Sequence, residues 1–180
     1  MRAHDTVRAG RQRRSSAAGG PRALPARRWV RERDDLWNDG RGASLGAASR
    51  ERMLAALRTA GIDLGREVVV GVAASSVEDA LAQARQAATF SCRTLLLPPP
   101  FYFKGATDEG LLRWFAPVLE RIAADGQRAI LYHIPSVTEV PLSLALIGRL
   151  KKRFPATVQG VKDSSGEWGM HGRFSPSTPS

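Results

Sequence analysis

A lysine and a tyrosine each stand at the end of an apolar run, where together they could act on a carbonyl compound. Lys162 ends the run that begins at Val158 and leads into the small residues Ser164–Gly166. Tyr132 lies towards the end of an upstream run, Ala129–Ile134. Partial removal from water favours the neutral form of an amine, which attacks ketones. A lysine nucleophile beside a tyrosine that relays protons is the minimal equipment for Schiff-base chemistry of the aldol type.

The two runs belong to a regular alternation of strand and helix patterns. Apolar strand patterns begin near residues 68, 94, 129 and 158. Helix patterns lie at 49–57, 75–88, 107–125 and 142–150, the second opened by a capping box at Ser75–Glu78 and the third by Thr107. Such units build a parallel sheet, either a closed (β/α) barrel or an open doubly wound layer, and both carry functional groups at the carboxyl ends of strands. A glycine-rich dinucleotide or phosphate loop does not occur in the sequence, which disfavours nucleotide binding.

The basic charge of the chain is concentrated near its start. The net charge is +10, of which +7 falls within residues 1–50 and +3 within the remaining 130. Residues 1–35 are therefore interpreted as a basic leader, either disordered or miscoded, with a transit-like peptide as the third alternative. Aromatic residues are not interleaved with its arginines, so nucleic-acid binding through this tail is a remote alternative and we expect no nucleic-acid partner. Residues 169–180, rich in Ser, Pro and Gly, are predicted to be a disordered tail.

Cysteine content and hydropathy limit the remaining classes of protein. The single cysteine, Cys92, excludes an internal disulfide framework and fits a reducing, cytoplasmic compartment. It has no companion ligands at metal-binding spacing, so we expect an inert packing residue and no metal site. Apolar runs stay short of the roughly 18 residues needed to span a bilayer, so we expect no membrane partner.

Four segments resemble the dihydrodipicolinate synthase/N-acetylneuraminate lyase family of class I aldolases. They are ASLGAASRERM at 43–53, PPPFYFKGATDEGL at 98–111, LYHIPSVT at 131–138 and GVKDSSGEW at 160–168. The resemblance implies an α/β fold of the (β/α)8 TIM-barrel family. Strand and helix patterns account for about four βα units, so residues 36–168 are predicted to form a partial barrel.

The resemblance also implies a role for individual residues. Lys162 corresponds to the lysine that forms a Schiff base with pyruvate or another 2-oxo acid, and no separate cofactor is needed. Tyr132 corresponds to the tyrosine that relays protons, and Tyr102 to one that completes a relay in a neighbouring subunit. Related enzymes form tetramers, so the resemblance implies a homo-oligomer. The residues implied in substrate binding are Gly40, Gly42, Ser136 and Thr138.

Three positions depart from the family's pattern. The GTTGEG turn expected directly before Ala43 is replaced by WNDGRG at 37–42, which retains two glycines. Val137 stands where synthases have an arginine for the carboxylate of the aldehyde substrate, which argues against the substrate of lysine biosynthesis. His133 replaces a common asparagine, and a structural hydrogen bond is its expected role. Two functions follow: a class I lyase or aldolase that makes or breaks a carbon–carbon bond, or a truncated, catalytically inactive relative.

Overall fold

The computed structural model of the protein describes residues 44–166. The predicted leader at 1–35 and the tail at 169–180 lie outside the described residues, so both remain predictions. In chain order the elements are α1 (Ala47–Thr59), α2 (Leu64–Glu67), β1 (Val69–Gly71), α3 (Val77–Thr89), β2 (Thr94–Leu97), α4 (Asp108–Ala124), β3 (Arg128–His133), α5 (Pro135–Thr138), α6 (Leu144–Arg153) and β4 (Val158–Asp163).

The four strands form one parallel sheet in the order β1-β2-β3-β4. Each strand is added beside the one before it, without the reversal of order that marks a doubly wound sheet. Of the two architectures that repeated strand–helix units allow, this order is the one found in a barrel. The predicted alternation of strands and helices is therefore confirmed within residues 44–166.

The two faces of the sheet bury different sets of side chains. One face carries the main core, where Leu95 and Leu97 of β2 and Ala129 and Leu131 of β3 pack with residues of the helices. The other face carries a small cluster, whose members are Leu96, Ile130, Tyr132 and Ile134. Because successive side chains in a strand point to opposite faces, the near-continuous apolar runs divide between these two clusters.

Helices α3, α4 and α6 each begin where a short polar side chain accepts a hydrogen bond from a free backbone N–H group. Ser76 accepts a hydrogen bond from the Asp79 N–H at 3.0 Å, and Thr107 accepts one from the Gly110 N–H at 3.2 Å. Ser143 does the same for α6, from the Leu146 N–H at 3.0 Å. Each such cap stabilises its helix by about 1 kcal/mol, because it bonds an N–H group of the first turn that has no partner within the helix. The predicted start of α4 at Thr107 is confirmed, whereas the capping box predicted at Ser75–Glu78 lies one residue early, because the capping side chain is that of Ser76.

Strand β1 begins within one residue of the predicted start near 68, but it is shorter than the apolar run that predicts it. The apolar run from Glu67 to Ala73 predicted a strand, but Glu67 is the last residue of the short helix α2. Asp63 explains the difference, since its carboxylate accepts from the Gly65 N–H while its own N–H donates to Oε1 of Glu67, both at 3.0 Å. This reciprocal capping stabilises one helical turn and delays the strand to Val69.

The carboxyl end of β1 is closed by a side-chain amide. Gln83 of α3 accepts from the Ala73 N–H at 2.9 Å and donates to the Ala73 carbonyl at 3.0 Å. The amide therefore makes the two hydrogen bonds that a neighbouring strand would make. Trp114 of α4 reaches the same segment, where its indole N–H donates to the Ser75 carbonyl at 3.0 Å. The chain that leaves β1 is thus held by two helices.

Across residues 44–166, we find no helix with both the length and the apolar character that crossing a bilayer requires.

Cys92 gives a test of the core through its pH dependence. Its side chain is 1% exposed, and burial raises the pKa of the thiol to about 11, above the 9.0 of an exposed thiol. Between pH 9 and 11 the Cys92 thiol therefore stays protonated in the folded chain but loses its proton in the unfolded chain. The free energy of unfolding should fall as the pH rises through this range. We expect slow reaction with a disulfide reagent at pH 8 until denaturant is added. Labelling of native protein at the unfolded rate would contradict this packing, and Cys92→Ala should remove the pH-dependent term.

Candidate active site

Tyr132 and Lys162 are directly paired across β3 and β4. Paired residues of neighbouring parallel strands project to the same face of the sheet. The amine nitrogen Nζ of Lys162 lies 4.9 Å from the centroid of the Tyr132 ring, within the range of a cation–π contact. The two side chains that the sequence singled out therefore lie together on one face.

This pairing depends on an irregularity in β4. Ala129 pairs with Val158, but the next residue, Ile130, pairs with Gly160, so Gln159 is left out of the ladder. In a regular ladder Lys162 would stand opposite His133 instead of opposite Tyr132. A bulge of one residue moves every later side chain of its strand to the opposite face of the sheet. The bulge at Gln159 thus turns Lys162 away from the helices.

Burial of the apolar residues in β4 supports the same conclusion. Val158 is 1% exposed within the main core, and Val161 also packs against that core from three residues further on. In an uninterrupted strand, residues three apart point to opposite faces. The odd spacing of Val158 and Val161 is the trace that the bulge leaves in the sequence, and it becomes informative once both residues are known to face the core.

The phenol and the amine have different access to solvent. Tyr132 is 2% exposed and packs with Leu96 and Ile134, so its ring has a fixed orientation. Lys162 is half-buried at the edge of this cluster. The arrangement combines a rigid phenol with an amine that a small molecule can approach. A phenol held on the same face as such an amine is a candidate for proton transfer to a substrate bound there.

The chain turns sharply just after Lys162. Oδ1 of Asp163 accepts a hydrogen bond from the Ser165 N–H at 2.9 Å, which forms an aspartate turn. The Ser164 N–H donates to the His133 carbonyl at 2.8 Å and extends the pairing of β3 and β4 beyond their ends. The small residues that follow Lys162 in the sequence therefore end the strand and tie it to its neighbour.

Tyr102 lies apart from this pair, on the loop that follows β2. Its side chain is 73% exposed, and its ring packs edge-to-face on Phe103 with the ring centroids 5.0 Å apart. Tyr102 and Phe103 together present an exposed aromatic surface at the carboxyl edge of the sheet. The role of Tyr102 in a relay stays a prediction.

The other predicted contacts to substrate have contrasting surroundings. Ser136 is exposed on α5, whereas Thr138 is 4% exposed. The Thr138 hydroxyl lies 3.0 Å from the Ile134 carbonyl, to which it donates, and accepts from the Val140 N–H at 3.3 Å. Gly40 and Gly42 lie outside the described residues. All four stay predictions as substrate-binding residues.

His133 faces away from Lys162, as its place in β3 requires. Its Nδ1 accepts a hydrogen bond from the Leu142 N–H at 3.0 Å, and its side chain is 6% exposed. This contact holds the segment before α6 against the end of β3. The expected structural role of His133 is confirmed.

Lys104 was not singled out from the sequence. Its Nζ donates to the carbonyl oxygens of Phe101 and Thr138, both at 2.8 Å. It thereby joins the loop after β2 to the segment after β3. A lysine that bonds to backbone carbonyls leaves no periodic signal in a sequence, because its acceptors can belong to any residue type.

Comparisons with known proteins identify relatives of this chain. Residues 40–177 match the family model described as the Dihydrodipicolinate synthetase family. A DapA-like lyase of Chloroflexus aurantiacus is 34% identical over 133 residues, which are 74% of this chain and 44% of that protein. A 4-hydroxy-tetrahydrodipicolinate synthase of Chlamydia caviae is 31% identical over 125 residues, covering 69% and 41%.

Solved structures show the same fold. The dihydrodipicolinate synthase of Agrobacterium tumefaciens is 46% identical with a TM-score of 0.67, over 72% of this chain and 45% of that one. A sialic acid aldolase of Ruminococcus gnavus shares the fold at 19% identity and a TM-score of 0.62, covering 79% and 46%. The chain thus spans less than half the length of the relatives it matches. The prediction of a partial TIM barrel is confirmed.

Deleting Gln159 tests how the bulge orients Lys162. The deletion removes a residue that the ladder leaves out, so Lys162 should remain opposite Tyr132 and the free energy of unfolding should change by less than about 2 kcal/mol. Deleting Val161 as well should place Lys162 opposite Leu131, facing the core, at a cost of about 4 kcal/mol or more because the charge is buried. Urea unfolding and the labelling rate of Lys162 by an amine reagent measure both. A single deletion that behaves like the double deletion would contradict the bulge.

Proposed function

Since this chain belongs to the dihydrodipicolinate synthetase family, we propose that it acts as a lyase or aldolase whose Lys162 forms a Schiff base with a 2-oxo acid. The observation that carries the proposal is the pairing of Lys162 with Tyr132, with Nζ 4.9 Å from the ring centroid. Membership of the family implies lyase or aldolase chemistry, and the particular activity, its substrates and its direction are parts of this proposal.

The proposed reaction begins with attack of the neutral Lys162 amine on the ketone carbon of the 2-oxo acid. The carbon–nitrogen bond forms as the carbonyl oxygen takes up a proton, and loss of water from the carbinolamine leaves an iminium. Positive charge on this nitrogen draws electrons from the adjacent carbon, which loses a proton to become an enamine. The enamine carbon adds to the carbonyl carbon of an aldehyde, which forms the new carbon–carbon bond and restores the iminium, while the aldehyde oxygen takes up a proton. Hydrolysis then returns the amine, and cleavage follows the same steps in reverse.

Tyr132 is proposed to carry protons in these steps. Formation of the carbinolamine requires a proton at oxygen, and its dehydration requires a proton on the departing hydroxyl. A phenol can donate and accept a proton at the same oxygen. Because Tyr132 is 2% exposed and held by Leu96 and Ile134, its oxygen needs little reorganisation between the two transfers.

Pyruvate is the proposed first substrate. The related synthase of Acinetobacter baumannii, 24% identical with a TM-score of 0.64, was solved in complex with pyruvate. The second substrate is proposed to be an aldehyde whose binding does not need a cation at position 137, because Val137 is apolar. Its side chain is 60% exposed on α5, at the edge of the sheet where Lys162 lies.

Tyr102 is proposed to act in a homo-oligomer. Its 73% exposure beside Phe103, itself 70% exposed, leaves a large aromatic surface open to contact with another subunit. Buried aromatic side chains are enriched at the centres of protein interfaces. In such an assembly Tyr102 would complete the proton relay of the neighbouring copy.

Borohydride trapping tests the proposed nucleophile. Incubation with pyruvate followed by reduction should attach a stable adduct to Lys162, identified by mass spectrometry of its peptide, because borohydride reduces the iminium to an amine. Lys162→Met should abolish the adduct, whereas Lys152→Met, which changes an exposed lysine of α6, should not. A folded protein that gives no adduct would instead favour the inactive relative. An adduct that survives in Lys162→Met would assign the chemistry to a different lysine.

Tyr132→Phe tests the proton relay separately from the nucleophile. The substitution removes one oxygen and keeps the ring on which Lys162 lies, so the fold and the amine should persist. Formation of the trapped adduct should slow by about a hundredfold or more, the usual contribution of general acid–base catalysis. The initial rate of adduct formation at saturating pyruvate measures this effect, with the melting temperature as a check on folding. An unchanged rate would remove Tyr132 from the mechanism.

A further inference from the structure

Two loops border the Tyr132–Lys162 pair at the carboxyl edge of the sheet. Residues 98–107 follow β2 and carry Tyr102, while residues 134–140 follow β3 and include α5. Neither loop is joined to the other by a strand or a helix. A side chain that bonds to both loops therefore adds to the constraint that the paired strands β2 and β3 place on their separation.

Lys104 supplies a direct connection between these loops. Its Nζ donates to the Phe101 carbonyl within its own loop and to the Thr138 carbonyl 34 residues away, both at 2.8 Å. Hydrogen bonds from an ammonium group are stronger than those between neutral groups. The carboxylate of Glu139 lies 4.0 Å from Nζ and is 70% exposed, so this ion pair contributes little beside the two carbonyl contacts.

The far end of the connection is anchored in a rigid segment. The buried Thr138 hydroxyl bonds to the Ile134 carbonyl and to the Val140 N–H. The Glu139 N–H donates to the Pro135 carbonyl at 2.9 Å, and Glu139 has a φ of 53°, a conformation that a non-glycine residue adopts only where its surroundings impose it. Lys104 thus attaches the irregular loop at 98–107 to a segment whose backbone is fixed by its own contacts.

The near end of the connection, in the loop at 98–107, carries the exposed aromatic side chains. Pro98–Pro100 are buried, but Tyr102 and Phe103 beyond them are more than two-thirds exposed. Exposed aromatic side chains give a loop little packing of its own. The hydrogen bond from Nζ of Lys104 to the Phe101 carbonyl fixes the backbone one residue before Tyr102.

We propose that Lys104 is a positioning residue that holds the loop carrying Tyr102 against α5 and so sets the entrance to Lys162. It need not touch the substrate. The consequence for catalysis rests on the proposed function, whereas the connection between the loops does not.

Hydrogen exchange tests the connection itself. Lys104→Met keeps the length of the side chain but removes its charge and its donors, so amides in residues 98–107 and 134–142 should exchange on the order of tenfold faster. Lys104→Arg should restore part of the protection, because it retains a cationic donor. Lys152→Met is the matched control and should leave both loops unchanged. Equal exchange in Lys104→Met and the parent protein would overturn the proposal.

Trapping with pyruvate separates positioning from chemistry. In Lys104→Met the half-saturating pyruvate concentration should rise several-fold, while the rate of adduct formation at saturation stays near that of the parent. A fall in the saturated rate like that expected for Tyr132→Phe would overturn the positioning role and place Lys104 in the chemistry. If the parent protein forms no adduct, the proposed function fails, and hydrogen exchange still decides whether Lys104 connects the loops.

Discussion

The pairing of β3 with β4 is the constraint on which the arrangement of the site depends. A parallel pair determines which residues stand side by side, and the alternation of side chains determines the face to which each one points. The extra residue at Gln159 changes this alternation once, between Val158 and Gly160. Before the bulge β4 presents an apolar residue to the helices, and after it β4 presents Lys162 beside Tyr132. One residue left out of the ladder thus allows the same short strand to contribute to an apolar core and to present a lysine amine on the opposite face.

The helices determine which face of the sheet can carry a charged side chain. The helices α3, α4 and α6 bury the apolar residues of one face, so a charged side chain on that face would lose its hydration. The opposite face contains only a small apolar cluster within the described residues, and Lys162 lies at its margin. The amine can remain close to water while its stem packs against the aromatic ring. Core packing and chemistry therefore use opposite faces of one sheet.

The sequence predicted much of this because its signals were local or periodic. Strand and helix alternation, the cap at Thr107, and the chemistry of the Lys162 and Tyr132 side chains could all be read without coordinates. The cap of α3 was predicted one residue early, at Ser75 instead of Ser76. The bulge, in contrast, appears in the sequence only as the odd spacing of Val158 and Val161, which carries no meaning until the neighbouring strand is known. The contacts of Lys104 with two carbonyls could not be predicted, because they join segments 34 residues apart through groups that every residue has. Helix α2 was missed because the apolar run beside it obscured the capping by Asp63 and Glu67.

The side-chain amide of Gln83 has a consequence for whatever lies beside β1. Both backbone polar groups of Ala73 are engaged by that amide, at 2.9 and 3.0 Å. A polypeptide that aligns along this margin can form its ladder with Val69–Gly71 but finds no partner at Ala73. Gln83 therefore shortens the edge that is open to ladder hydrogen bonds and confines any pairing there to Val69–Gly71.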